Sequence, residues 1–182
     1  MRRAISVAAA VLLAAPAVAR SQTQPTMPTA GPLSAALVSA WQRASVNMPG
    51  AADAMPADKF SFKPTPAQMS FGEILAHESQ SNETLCAAVA GGQQTPSESA
   101  AGATAPKEQL VARLRKSFEV CGAIVAKLPE SALGDSVPYF GGRKATKARA
   151  AIALAQDWAD HYAQAAMYLR LNGILPPSAR PR

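Results

Sequence analysis

Through most of this chain, apolar residues recur at the three- and four-residue spacing that lays one stripe along the side of a helix. The first run covers residues 33–47, with Leu37, Val38, Trp41 and Ala44 on one face, and Met48-Pro49-Gly50 is expected to end it. A second opens at Ser70. Ser70 and Glu73 stand three apart before an apolar run, the signature of a capping box in which each side chain serves the other's backbone N–H. Phe71, Ile74, Leu75, Leu85 and Val89 continue the stripe until Gly91-Gly92 stops it. Residues 93–106 are small and polar and have no period. A third run covers about 106–128, with Leu110, Leu114, Phe118, Cys121 and Val125 in line and Pro129 behind it. The last covers about 144–172, carries Ala151, Ala155, Trp158, Tyr162 and Leu169, and is closed by Gly173 and Pro176-Pro177. Nothing reads as a sheet, and no internal repeat is visible. The pattern predicts an all-α domain of four helices. Between the first two, Phe60-Ser61-Phe62 sits among Pro56, Pro64 and Pro66, a connection long enough that its aromatics are expected to pack on the bundle.

The N-terminal pattern is different. Arg2 and Arg3 precede a short apolar run, and Ala17-Val18-Ala19 supplies the small-x-small site of a signal peptidase. The run is shorter than the roughly 20 residues that span a bilayer. Residues 1–19 therefore read as a cleaved signal peptide, and the protein as exported, periplasmic or extracellular, without stable membrane insertion afterwards. Residues 20–31 read as a flexible mature N-terminus, 32–178 as one folded domain, and 179–182 as a short tail.

Charge adds little to function. The formal net charge is +6, and Arg2 and Arg3 leave with the signal. Arg143, Lys144, Lys147 and Arg149 hold much of the remainder, but aromatic residues make up only 5% of the chain, and an exported protein rarely meets nucleic acid. The cluster reads as a solvated helix start, not a nucleic-acid surface. Two cysteines in an exported chain suggest one disulfide. Cys86 and Cys121 form no CxxC motif, so a redox-active pair is not expected.

The candidate chemistry lies in the two histidines, His77 and His161, both inside predicted helices. Asp157 and His161 are spaced i, i+4, which puts both on one side of the last helix. If the fold brings His77 to them, the three make a two-histidine, one-carboxylate metal site; otherwise they belong to a polar packing network. Gln164 and Tyr168 continue the polar edge of that helix and are placed to orient ligands or bind a held group. On the second helix Glu78 and Asn82 fall near the centre of the apolar face, where each must find a partner or line a polar cavity.

These residues carry a resemblance. Phe60-Ser61-Phe62-Lys63-Pro64-Thr65-Pro66, the run from Ser70 to His77, Asp160-His161-Tyr162-Ala163-Gln164, Tyr168-Leu169-Arg170 and Asn172-Gly173-Ile174 with Pro176-Pro177-Ser178 resemble the DinB-like superfamily over nearly all the mature chain. The resemblance implies a four-helix bundle with up-down-down-up order and a long crossover between helices two and three. It also implies a divalent ion held by three histidines. His77 matches the first of these and His161 the third, but Asp157 stands where the family has the second. Asp157 can still ligate zinc, nickel or manganese through oxygen. Ala163 replaces a customary glycine. The implied order makes helices two and three parallel, which brings Cys86, 16 residues past Ser70, and Cys121, 15 past Pro106, to nearly one height. A Cys86–Cys121 disulfide follows, the alternative being two separate buried thiols.

The function implied is that of an exported metal-binding bundle, a metal-dependent transferase or hydrolase acting on a small molecule, with Glu78 as a candidate base. Its rival is a non-catalytic binding bundle in which Asp157 marks a vestigial site. Homodimerisation is compatible with the bundle type.

Overall fold

The computed structural model describes residues 31–92 and 104–181. The predicted signal peptide, residues 20–30 of the expected N-terminal segment, residues 93–103 of the linker and Arg182 lie outside them. Four helices form the domain: α1 (Pro32–Ala54), α2 (Phe71–Ala90), α3 (Lys107–Val125) and α4 (Lys147–Leu171). None among the described residues is long and apolar enough to cross a membrane.

Each of α1 and α2 packs against both α3 and α4. Their directions follow from which residues meet. Along α2 and α3, Glu83 binds Arg113, Asn82 binds Ser117 and Cys86 is bonded to Cys121, so both run the same way. Against α4 the order reverses: Asn82 meets Trp158, and Met69, just before α2, meets Tyr168. Trp41 of α1 donates its indole N–H to the Phe118 carbonyl (2.9 Å), while Asp53 meets Arg115 nearer the start of α3. The bundle is therefore up-down-down-up, as the resemblance implied. The core between the helices is apolar, with Phe71, Met48, Ile74, Leu114 and Leu154 sealed from solvent. Gly122 lets α1 and α3 approach, because a Cβ there would stand 2.3 Å from the Trp41 ring.

The capping box opens α2 as read from the sequence. Ser70 Oγ accepts from Glu73 N–H (3.2 Å), and Glu73 Oε2 accepts from Ser70 N–H (2.5 Å). Gly91 closes the helix in the left-handed conformation at φ 87°. The first helix departs from expectation, since it runs through Pro49 to Ala54. An interior proline costs about 3 kcal/mol, but the turns around it bury Met48, Ala51 and Ala52 completely enough to offset that. Both ends of α1 are held by charges from elsewhere. Glu130 accepts from Leu33 and Ser34 N–H at its start, and Lys107 donates to the Asp53 and Met55 carbonyls at its end.

A second departure lies before α4. Strands β1 (Ser136–Pro138) and β2 (Lys144–Thr146) pair antiparallel, with Val137 opposite Ala145. Gly141 and Gly142, at φ 67° and 70°, let the chain turn between them. Residues 144–146 are committed to this ladder, so α4 begins at Lys147 and not at Lys144, and Thr146 Oγ1 caps it by accepting from Arg149 N–H. Strands this short went unseen because three residues cannot display a period. The unfavourable cation in the first turn of α4 is answered by Asp135, 3.3 Å from Lys147 Nζ.

Cys86 and Cys121 form a disulfide with a Cα–Cα distance of 5.5 Å, within the normal range.

Two outcomes follow. Ser70→Ala should cost about 1 kcal/mol in denaturant unfolding. Its partner Glu73 is held near pKa 2 by the Ser70 backbone N–H and by Lys63, below its ordinary 4.5. A depressed carboxyl contributes stability above its unfolded pKa and loses it as pH falls through the folded one. Wild type should therefore lose more stability than Glu73→Gln between about pH 4.5 and 2, and parallel profiles would refute this. For the disulfide, intact mass should rise by two hydrogens on reduction. Closing a 35-residue separation contributes about 3–4 kcal/mol by chain entropy, so the reduced protein should unfold at correspondingly lower denaturant.

Candidate metal centre

The site forms where α2 and α4 cross. His77 lies two turns into α2, and Asp157 and His161 face it from the middle of α4. One nitrogen of each imidazole and one Asp157 carboxylate oxygen all lie within 4.8 Å of one another. The two rings stand 4.6 Å apart, tilted by 48°. His161 is buried and Asp157 half-buried, while His77 is the most exposed of the three. The structure thus brings His77 to the Asp157–His161 pair, the condition on which the three-residue set depended.

Electrostatics at this point are unbalanced. Glu78 is 0% exposed. Neither of its carboxylate oxygens has a hydrogen-bond partner, nor does Asp157 Oδ2. His161 Nδ1 lies 2.9 Å from the Asp157 carbonyl oxygen, 3.4 Å from Glu78 Oε2 and 3.5 Å from Asp157 Oδ2. Only the first is a hydrogen-bond length. Burial, with repulsion from Asp157 added, pushes the Glu78 carboxyl up to about 8, and His161 offsets this in part. Burial opposes a charge on His161, yet the adjacent Asp157 and then Glu78 outweigh it and carry the imidazole up to about 9. His77 is pushed down by burial and by the neighbouring His161. Carboxylate oxygens left orphaned beside two imidazoles cost several kcal/mol, roughly, unless a cation meets them. The donor set fits a divalent ion: two nitrogens and one oxygen, all able to face one point, with further positions open.

The rest of the polar edge divides clearly. Asn82, expected to need partners, has them: its side chain donates to Ser117 Oγ (3.0 Å) and accepts from Trp158 Nε1 (2.6 Å). It is a structural clamp joining α2 to α3 and α4. Tyr168, considered for ligand orientation, instead donates to the Met69 carbonyl (2.8 Å), because it lies about two turns past His161. Gln164 likewise turns to Asp160 (3.3 Å). Ser81, overlooked in the sequence, stands 3.5 Å from His77 Nε2. Its i, i+4 spacing from His77 was the available signal.

Comparison with known proteins agrees with the fold. The family model of the DinB superfamily matches residues 15–165. The mycothiol-dependent maleylpyruvate isomerase shares the fold at a TM-score of 0.63 and 14% identity, covering 73% of this chain. A mutant of that isomerase superposes equally well at 13% identity. This chain spans 60% of the isomerase's length. A DinB-like protein from Bacillus subtilis matches at a TM-score of 0.63 and 21% identity, covering 81% of this chain and 99% of its own. No curated protein matches the sequence.

The clamp can be separated from the site by mutation. Asn82→Ala strands the buried Trp158 N–H and should cost about 2 kcal/mol or more, whereas Ser81→Ala, at a more open position, should stay within about 0.5 kcal/mol. Equal effects in chemical denaturation would contradict the assignment.

Proposed function

The chain belongs to the DinB superfamily, and from that premise we propose that it is an exported, metal-dependent transferase or hydrolase acting on a small molecule. The observation that carries this reading is the convergence of His77, Asp157 and His161 from two helices within 4.8 Å, with an unpartnered carboxylate oxygen of Asp157 among them. Export is supported by the leader-like pattern of residues 1–19 and by the buried Cys86–Cys121 disulfide, which suits an oxidising compartment.

His77, Asp157 and His161 would hold the ion. Zinc, nickel and manganese all accept nitrogen and carboxylate donors, and the single oxygen makes the set harder than three imidazoles. An ion there would supply Lewis acidity, lowering the pKa of a water or thiol and polarising an oxygen of the substrate. The residues around it have distinct roles. Asp157 supplies negative charge from the wall of the site. His77, on the solvent side, leaves the approach open to a small molecule, and Ser81 beside it offers a hydroxyl to an incoming polar group. The structurally similar isomerase is mycothiol-dependent; in this chain the corresponding chemistry is activation of a thiol or of water. Glu78 is buried behind the ring of His161, away from that approach.

Metal content tests the reading. Wild-type protein from its native compartment should carry close to one equivalent of a divalent ion, and a His77→Ala, His161→Ala double variant almost none. Adding the ion at a hundred times its dissociation constant should stabilise wild type by about 2.7 kcal/mol and leave the variant unchanged. Equal trace metal in both proteins would remove the basis for the proposal.

A further inference from the structure

Glu78 is wholly enclosed, and both of its oxygens lack partners. A side chain of similar volume without charge would pack there at lower cost, since an uncompensated buried carboxylate is among the most unfavourable groups a core can hold. It does not belong to the converging set: the atoms that meet within 4.8 Å come from His77, Asp157 and His161. What it faces is His161, with Oε2 3.4 Å from Nδ1. The same nitrogen lies 2.9 Å from the Asp157 carbonyl and 3.5 Å from Asp157 Oδ2. A ring nitrogen turned toward three acceptor oxygens is the one that carries the proton, and Nε2 then keeps its lone pair.

Resting on the metal-site reading above, we propose that Glu78 is a positioning residue and not a ligand: its carboxyl lies against Nδ1 of His161 and, with the Asp157 carbonyl, favours the ring orientation that presents Nε2 to the ion. Such a carboxylate fixes the ring's orientation and raises the basicity of the coordinating nitrogen. The Asp157 carbonyl holds the same nitrogen from α4, and Glu78 adds a carboxyl from α2.

The test uses full-length mature protein and Cd²⁺ alone as the probe. Wild type should bind one ion. Glu78→Gln, nearly isosteric, should bind the same number about 10–100-fold more weakly, while the melting temperature of the metal-free protein moves by only a few degrees, roughly, as for a change with no partner to lose. A second measurement needs no variant. In ¹⁵N-histidine-labelled wild type loaded with ¹¹³Cd, the cadmium coupling should fall on Nε2 of His161 and the proton on Nδ1. An affinity change below about threefold, well short of the usual loss on removing such a partner, overturns the proposal, as does cadmium on Nδ1. Wild type that takes up no ion overturns it together with the functional reading. Wild type that binds normally beside an indifferent Glu78→Gln overturns this inference alone.

Discussion

Asn82 reaches from α2 to both of the helices that flank it, donating to Ser117 on α3 and accepting from Trp158 on α4. An amide in an apolar core satisfies its donors and acceptors in few arrangements, so this bond pair sets the height at which the helices meet. One turn before Asn82 lies Glu78, with His77 adjacent to it. Next to Trp158 lies Asp157, with His161 a turn further on. The height fixed by the amide is the height at which His77 faces His161, and a shift of α4 by a single turn, about 5.4 Å, would part them. Four residues along the same helix, the Cys86–Cys121 bridge fastens α2 to α3 and keeps Ser117 within reach of Asn82.

Around this clamp the core is otherwise permissive. Most positions need only be apolar and of suitable size. Three of the four unpaired buried side-chain oxygens among the described residues lie at the site, on Asp157 and Glu78. Such groups persist where function requires them and the surrounding packing can carry the cost. Here the cost is met by the completely buried leucines, aromatics and methionines above and below, and by a disulfide that limits the unfolded chain.

Much of this was legible in the sequence, for identifiable reasons. Ser70 and Glu73 are a local pattern that determines a local structure, and α2 starts where they say. The i, i+4 spacing of Asp157 and His161 decides which side of α4 they share whatever that helix packs against. His77 joined them only through family resemblance, because no spacing rule spans the distance from α2 to α4. Three features were out of reach. Pro49 ordinarily ends a helix, and only the tertiary burial of the residues around it keeps α1 going. The β1–β2 ladder is too short to carry a pattern, so its cost to the start of α4 could not be foreseen. Tyr168 and Gln164 lie on the polar edge of α4, but the edge is longer than the site, and their partners are elsewhere.

The central claim is that His77, Asp157 and His161 hold one ion from two helices. X-ray absorption at the metal edge of the loaded protein examines this most directly, since it reads donor atoms without reference to activity. The account predicts a first shell of nitrogen and oxygen only, with the outer-shell scattering of two imidazole rings, one of them lost in His77→Ala. A shell containing sulfur, or one of oxygen alone with no imidazole scattering, would contradict it.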